Sequence, residues 1–316
     1  MTPEPRTAWR PSMALKIAAG LLGACLFGPA AAQTKISLGY TQANAFMAAF
    51  VAKDQGFFAK HGLDVTLQIV PQGSTIASAM AGGTLQAGTL TPPAFLLAVE
   101  GGIDAQVVAA ATYQSKANPT IGVMAREGSN IRSATDMRGK RIGVPGLNGG
   151  NHIVMMKWLA NNGVEATQVT IVETAFPQMG DLLKGGQIDL AVPVEPFISR
   201  IQQTKVGYLV VVPTIVDSFL ESFYIMNRDF VQKNPAAARE FKEALREAVA
   251  WIGKNEVEAR KTQITYLKLP ELAAQTIKLP TFAVDVPPQD MQFWIDLLKD
   301  FHVTQGTATV QQVLFR

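Results

Sequence analysis

Cysteine and histidine are scarce in this sequence of 316 residues, and both shortages exclude classes of chemistry. Cys25 is the one cysteine, so the chain beyond it forms no disulfide, no thiolate nucleophile and no cysteine-based zinc site. The three histidines, His61, His152 and His302, lack the H-E-x-x-H spacing of a zinc hydrolase. We therefore expect no metal and no other cofactor.

Charge is also sparse. Charged residues make up 17% of the chain and hydrophobic residues 48%, which suits a globular protein large enough for two compact lobes. The formal net charge is +3, and most of it comes from Arg6, Arg10 and Lys16 near the N-terminus. Because no basic run or RNA-binding aromatic motif follows, we expect no nucleic-acid partner.

A long uncharged run follows these basic residues. Residues 17–32 read IAAGLLGACLFGPAAA, an apolar stretch that ends in small residues. This order is typical of a secretory signal peptide, and the run is short for a membrane span. We predict a secretion signal over residues 1–32, a mature chain that begins at Gln33, and a periplasmic location. Two alternatives remain open: LLGAC resembles a lipoprotein box, which would leave a lipid anchor at Cys25, or the segment is a retained membrane anchor.

Strand-like and helix-like segments alternate through the rest of the chain. Apolar alternation at KISLGY (35–40) and DVTLQIV (64–70) predicts strands, with a helical pattern between them. A second series runs from RIGV (141–144) to GYLVVV (207–212), and the last third is mainly helical. Such alternation predicts an α/β protein with parallel sheets and helices on both faces.

The two series follow each other without a low-complexity linker. We therefore predict two lobes with a ligand cleft between them. Lobe 1 comprises residues 33–115 and 216–316, and lobe 2 comprises residues 116–215. The chain is expected to cross between the lobes on extended segments near residues 115–120 and 212–222.

The loop PGLNGGN (145–151) lies between a predicted strand and a predicted helix. In open parallel sheets, ligands bind beyond the carboxyl ends of strands, where helices begin. Gly149 and Gly150 permit close approach to the backbone, and the free N–H groups of a helix start can hold a carboxylate or oxyanion. The loop is neither a P-loop nor a dinucleotide fingerprint. A turn that only requires two glycines explains it equally well.

Other predicted strand-end loops are polar and uncharged. They are TQAN (41–44), QGST (72–75), TPP (91–93) and TAFPQ (174–178), with Glu195 as the one charge at such a position. A cleft lined by amides, hydroxyls and helix starts is typical of a small-molecule site without catalytic groups.

Several segments resemble a known family. They are QGFFAKHGLDVTL (55–67), SATDMRGKRIGV (133–144), LLKGGQIDLAV (182–192) and the dipeptide Glu195–Pro196. In this order they resemble the periplasmic substrate-binding proteins of ABC importers for nitrate, sulfonate, taurine and related compounds, the NMT1/THI5-like and SsuA/TauA-like proteins. The resemblance covers nearly the whole mature chain. It implies a type II periplasmic-binding-protein fold, with two α/β lobes that close on a ligand.

The loops and the resemblance together give the candidate site. The candidate ligand-binding residues are Gln42, Asn44, Ser74, Thr75, Thr91, Asn148, Gly149, Gly150, Asn151, Phe176 and Glu195. Glu195 has a second interpretation as a helix cap or hinge residue, since Pro196 suits the first turn of a helix. Gln86 stands where the family often has Asp, and NGGN replaces the family's common Gly-Ser loop.

The expected function is a solute receptor outside the cytoplasmic membrane. It would bind a small organic solute or oxyanion and deliver it, as a monomer, to an ABC transporter permease with its ATPase. An enzyme of the same fold, a pyrimidine-precursor-binding or THI5-like protein, is the alternative, although the sequence shows no nucleophile with its base. A periplasmic partner of a sensor domain is a third class that would share the same site.

Overall fold

A computed structural model describes residues 1–4 and 32–315 of the chain. The predicted signal peptide, including Cys25, lies almost entirely outside these residues. Residues 33–316 form one compact unit. No helix in the described part of the chain is both long enough and apolar enough to cross a bilayer.

The described residues from 34 onwards form alternating strands and helices. The strands are β1 (Thr34–Tyr40), β2 (Leu63–Ile69), β3 (Ala87–Leu90), β4 (Ala105–Ser115), β5 (Val123–Arg126), β6 (Arg141–Val144), β7 (Thr170–Glu173), β8 (Leu190–Ala191), β9 (Gly207–Val211), β10 (Ser218–Asn227) and β11 (Thr281–Phe282). The helices are α1 (Met47–Asp54), α2 (Phe57–Lys60), α3 (Gly73–Ala81), α4 (Pro92–Glu100), α5 (Gly150–Asn161), α6 (Met179–Lys184), α7 (Phe197–Gln203), α8 (Arg228–Lys233), α9 (Pro235–Lys254), α10 (Glu256–Leu267), α11 (Glu271–Thr276), α12 (Pro288–Asp300) and α13 (Val310–Val313). Short 3-10 helices lie at Asn44–Phe46, Thr135–Met137, Ala166–Gln168 and Phe176–Gln178.

The strands form two sheets, each of which is the centre of one lobe. The six-stranded sheet of the first lobe has the order β11-β4-β10-β3-β1-β2, and the five-stranded sheet of the second has the order β7-β6-β8-β5-β9. Residues 116–122 and 212–217 connect them. The second connection is shorter than the predicted segment, because β10 already begins at Ser218.

The sheets are mixed, although the sequence pattern predicts parallel ones. Strand β10 is antiparallel to β3 and β4, and β5 is antiparallel to β8 and β9. Both β5 and β10 directly follow a connection from the other lobe. A strand that enters its sheet from the edge at which its neighbours end must run in the opposite direction. Local periodicity carries no signal for this direction.

The first lobe is stabilised by helices with one apolar face. In α9, residues such as Phe241 and Leu245 are fully buried, whereas the acidic residues face outwards, as an amphipathic surface helix requires. The Phe241 ring stacks on Phe58 with centroids 5.2 Å apart. The helical pattern predicted after β1 is interrupted at Gly56, whose φ of 72° lies in the left-handed region and separates α1 from α2.

A buried polar network holds the first connection against the first lobe. The Thr120 hydroxyl lies 2.7 Å from Glu221 Oε1 and 2.9 Å from Gln114 Oε1. The Thr112 hydroxyl donates to the other carboxyl oxygen of Glu221 at 3.0 Å. Burial raises the pKa of Glu221, although the two threonine hydrogen bonds oppose the shift. Since one hydroxyl donates a single hydrogen, a protonated Glu221 can satisfy both contacts of Thr120.

Candidate ligand-binding cleft

A cavity of about 570 Å³ lies where the two lobes face each other. Its volume is typical of small-molecule sites, and it lies at the carboxyl ends of parallel strands, where open α/β sheets bind ligands. The lining residues are Thr41, Phe46, Gly73, Ser74, Ala77, Ser78, Ala81, Thr89, Leu90, Thr91, Ala94, Leu97, Ala98, Gly101, Ile103, Pro145, Gly146, Leu147, Gly149, Gly150, Asn151, Glu173 and Phe176.

The first lobe contributes a row of hydroxyl groups. Thr41 directly follows β1, Thr89 belongs to β3, and Thr91 directly follows β3. Ser74 lies in the first turn of α3, and Gln72 occupies the N-cap position of this helix. The hydroxyls converge because β1 and β3 are parallel neighbours and end at the same edge.

The second lobe contributes the glycine loop, the first turn of α5 and the segment after β7. The loop follows β6, and Gly149 is the residue before α5. The Asn151 side chain donates to the carbonyl of Val192 at 2.8 Å and is buried, so this amide group is already bonded within the protein. Phe176 follows β7 and stacks on Phe197, with centroids 5.6 Å apart. It gives the cavity an aromatic wall.

A hydrogen bond joins the two lobes across the main cavity, and a longer one, from the N–H of Asn44 to the carbonyl of Glu195 at 3.4 Å, joins them beside the connections. The backbone N–H of Gly150 donates to Thr91 Oγ1 at 3.0 Å. A Cβ atom at Gly150 would lie 3.0 Å from both Cβ and Cγ2 of Thr91, a contact closer than normal packing. Glycine at position 150 therefore permits the two lobes to approach this closely.

The glycine loop is held in shape by its own residues. Asn148 has a φ of 58°, in the left-handed region that asparagine tolerates better than most residues. Its backbone N–H donates to His152 Nδ1 at 2.8 Å. Burial lowers the pKa of His152, which agrees with a neutral ring that accepts this hydrogen. His152 therefore orders the loop as an uncharged acceptor.

Thr89 has an unusual environment. It is 1% exposed, and its Oγ1 has no hydrogen-bond partner within the described chain. A buried hydroxyl without a partner costs free energy unless something else binds it. Because Thr89 lines the cavity, a bound solute can supply the missing hydrogen bond. Thr89 has no local sequence signal of a site, since it lies inside a buried strand instead of in a loop.

The structure brings part of the predicted site together and leaves part of it elsewhere. The predicted residues that line the cavity are Ser74, Thr91, Gly149, Gly150, Asn151 and Phe176. Those that are not among its lining residues are Gln42, Asn44, Thr75, Asn148 and Glu195. The amide groups of Gln42 and Asn44 donate instead to the carbonyls of Leu267 and Lys278, at 2.7 and 2.8 Å.

Glu195 lies in a different place from the main cavity. Together with Asn44 it lines a smaller cavity of about 170 Å³ beside the two connections between the lobes. Its carboxylate accepts hydrogen bonds from the backbone N–H and the hydroxyl of Ser199, at 3.2 and 2.9 Å. Burial raises the pKa of Glu195, opposed by these bonds and by the charge of Lys278. Of its two interpretations, this geometry agrees with the structural one.

Gln86, one of the two departures from the family pattern, also has a structural contact. Its Oε1 accepts from the backbone N–H of Ser37 at 3.0 Å, and Gln86 is not among the residues that line the main cavity.

Within the described residues, no cluster of three or more His, Cys, Asp or Glu side chains could hold a metal ion.

Fold and cleft together define a two-lobed periplasmic-binding-protein fold of the α/β class, with the cavity between the lobes. The alkanesulfonate-binding protein SsuA of Xanthomonas axonopodis pv. citri, solved with bound MOPS, superimposes with a TM-score of 0.78 over 90% of this chain and 99% of that one, at 17% identity. The nitrate-binding protein NrtA of Synechocystis PCC 6803 superimposes with a TM-score of 0.77 over 89% of this chain and 86% of that one, also at 17% identity. The particular family follows from the sequence: residues 43–259 match the model of the NMT1/THI5-like family, and the chain belongs to it.

A curated relative is similar over a large part of the chain. The nitrate/nitrite binding protein NrtA of Nostoc sp. is 25% identical over 248 residues. The match covers 72% of this chain but only 56% of that relative, less than two thirds of its length.

Proposed function

We propose that this protein is an extracytoplasmic solute-binding protein of an ABC importer, which binds a small organic solute or oxyanion between its lobes. The observation that carries the proposal is the cavity at the strand ends of both lobes, bridged by the Gly150–Thr91 hydrogen bond. Membership of the NMT1/THI5-like family supports it. Relatives that are named as nitrate-binding and sulfonate-binding proteins support the same class of function.

The mechanism is a closure of two lobes on the solute. Residues 33–115 and 216–316 move as one lobe and residues 116–215 as the other, with the two connections as hinges. The solute stabilises the closed form, because it contacts both lobes only in that form. The permease and its ATPase then receive the solute from the closed, monomeric receptor. We infer a binding role without catalysis, in agreement with the relatives' names as binding proteins.

Export to the periplasm is part of the proposal. The basic, apolar and A-x-A regions of residues 1–32 support a signal peptide. Intact-mass analysis of protein from the cell envelope is expected to give a chain that starts at Gln33. A mass that retains Met1, or a diacylated chain that starts at Cys25, would contradict this cleavage.

The binding role is tested with ligand-free protein and a broad library of small solutes. At a solute concentration of one hundred times Kd, linkage raises the free energy of unfolding by about 2.7 kcal/mol, which a thermal-shift assay detects. Gly150→Val should weaken binding severely by obstructing the approach of Thr91. Glu127→Gln, an exposed carboxylate outside the main cavity, should leave affinity unchanged and serves as the control. A library without any stabilising solute would refute the receptor function.

A further inference from the structure

A groove between α3 and α4 is part of the cavity. Each helix presents positions i, i+3, i+4 and i+7 to it, which lie on one helical face. The positions are Ser74, Ala77, Ser78 and Ala81 on α3, and Ala94, Leu97, Ala98 and Gly101 on and directly after α4. Seven residues of helix span about 10 Å, so the groove is long enough for a chain of several carbon atoms.

The surroundings of the groove are apolar. Ile103 lines it beyond the end of α4, and Phe46 and Phe176 line the same cavity. Leu147 belongs to the glycine loop and is 54% exposed. When a ligand removes a large exposed apolar side chain at the edge of a concave site from water, the free energy of the complex falls. These contacts fit the apolar portion of a solute.

Thr89 provides the independent observation that points to a ligand. Its hydroxyl is buried and has no partner among the described residues, and Thr89 is one of the residues that line the cavity. A polar group of the solute can form a hydrogen bond with it. The site therefore combines one unpartnered buried hydroxyl with a groove that is mainly apolar.

The charges in the cavity do not favour an anion. Glu173, the last residue of β7, is the one charged side chain among the lining residues, all of which lie in the described part of the chain. The prediction that Glu195 is the one charge at a strand end is therefore wrong. At two of the three helix starts around the cavity, those of α4 and α5, N–H donors for an oxyanion are missing or already bonded. Pro92 and Pro93 have no N–H group, and the N–H of Gly150 is bonded to Thr91.

We propose that the solute is an amphipathic organic molecule with an uncharged or cationic polar head and an apolar tail, and that the tail lies in the groove between α3 and α4. The inference rests on the proposed receptor function and narrows its solute class. The head binds the Thr89 hydroxyl and lies within the field of the Glu173 carboxylate. Inorganic oxyanions and short sulfonates lack the tail and carry the disfavoured charge.

The test uses two matched series of probes and calorimetry on ligand-free protein. In the first series the head is constant and the tail grows: propylamine, pentylamine and hexylamine. In the second the tail is constant and the head changes: hexylamine, hexan-1-ol and hexanesulfonate, with nitrate as the tailless anion. Each added methylene should strengthen binding by up to about fourfold, the value for full burial of the group. Hexylamine and hexanol should bind more tightly than hexanesulfonate.

Variants assign these effects to the proposed contacts. Ala98→Phe fills the groove and should abolish the gain from pentyl to hexyl, whereas Ala236→Phe on the exposed face of α9 should preserve it. Thr89→Val should weaken hexanol by about two- to tenfold. Glu173→Gln should weaken hexylamine by about two- to fivefold, the range for an exposed ion pair, and leave hexanol unchanged. Glu127→Gln, an exposed carboxylate outside the cavity, should change neither.

The outcomes separate this inference from the receptor function. Affinity that does not depend on tail length, or nitrate or hexanesulfonate binding more tightly than hexylamine and hexanol, would overturn the inferred class and leave the receptor intact. The same holds if Ala98→Phe retains the gain from pentyl to hexyl. If none of these probes and no member of the broad library binds, the receptor function itself fails, and the inference with it.

Discussion

Replacing Thr91 by valine tests whether the hydrogen bond across the cleft holds the lobes together. Valine has nearly the shape of threonine but cannot accept the N–H of Gly150, which lies 3.0 Å from Thr91 Oγ1. Gly150 is buried, so in the closed form of the valine variant its N–H group has lost its one protein acceptor. Leaving such a group unsatisfied costs about 1–3 kcal/mol.

This cost applies mainly to the closed form, because water reaches the N–H group when the lobes separate. A loss of about 1 kcal/mol lowers the ratio of closed to open molecules about fivefold, and a loss of about 1.4 kcal/mol lowers it tenfold. Thr91→Ser keeps the acceptor and should retain nearly the original ratio. The serine variant is therefore the matched control for the loss of the hydroxyl.

The assay is single-molecule energy transfer between the lobes. Residues 33–316 contain no natural cysteine, so Lys184→Cys and Lys254→Cys, exposed positions on different lobes, can be labelled selectively. Thr91→Val should shift the distance distribution towards longer separations, and Thr91→Ser should not. If the valine variant has the same distribution as the parent, this bond does not hold the cleft closed, and the reasoning is refuted.

Two further predictions concern stability. Phe241 is fully buried and stacks on Phe58, so Phe241→Ala should lower the free energy of unfolding by about 3–5 kcal/mol with an unchanged m-value in urea; a loss below about 1 kcal/mol would contradict this packing. Burial lowers the pKa of His61, but its hydrogen bonds to Glu240 and Glu247 outweigh this and raise it overall. The stabilisation is therefore complete below the unfolded pKa of about 6.5 and is lost as pH rises through the folded pKa. His61→Gln should accordingly destabilise the protein by about 0.2–1 kcal/mol more at about pH 6 than at about pH 9, and equal losses in urea titrations at both pH values would contradict the ion pair.

Polar loops at strand ends gave only part of the candidate site. Thr91 and the glycine loop were recognisable because glycine and helix-start patterns carry a local signal. Asn44 and Glu195 have the same kind of local signal, yet their side chains bond to Lys278 and Ser199. Whether a polar loop residue faces a cavity or a neighbouring backbone depends on what packs against it.

The groove between α3 and α4 contains residues that line the cavity but were not predicted from the sequence. Small residues at helical spacing, such as Ala77 and Ala98, are typical of close packing between helices, so their pattern does not indicate a ligand site. They line a cavity because the two helices leave space between their facing stripes. Thr89 was missed for a related reason, since a threonine within a buried strand has the pattern of an ordinary core residue.

The sequence by itself determined the α/β class, the order of most strands and helices, and the strand ends at which a site could form. These properties follow from local rules, because helices and strands bury their apolar residues with periods of 3.6 and 2. Tertiary structure alone decided that β5 and β10 run antiparallel to their neighbours, and that Thr91 meets Gly150, 59 residues away along the chain. Such contacts arise from how whole elements pack and where the chain crosses between lobes, and neither is encoded within a single segment.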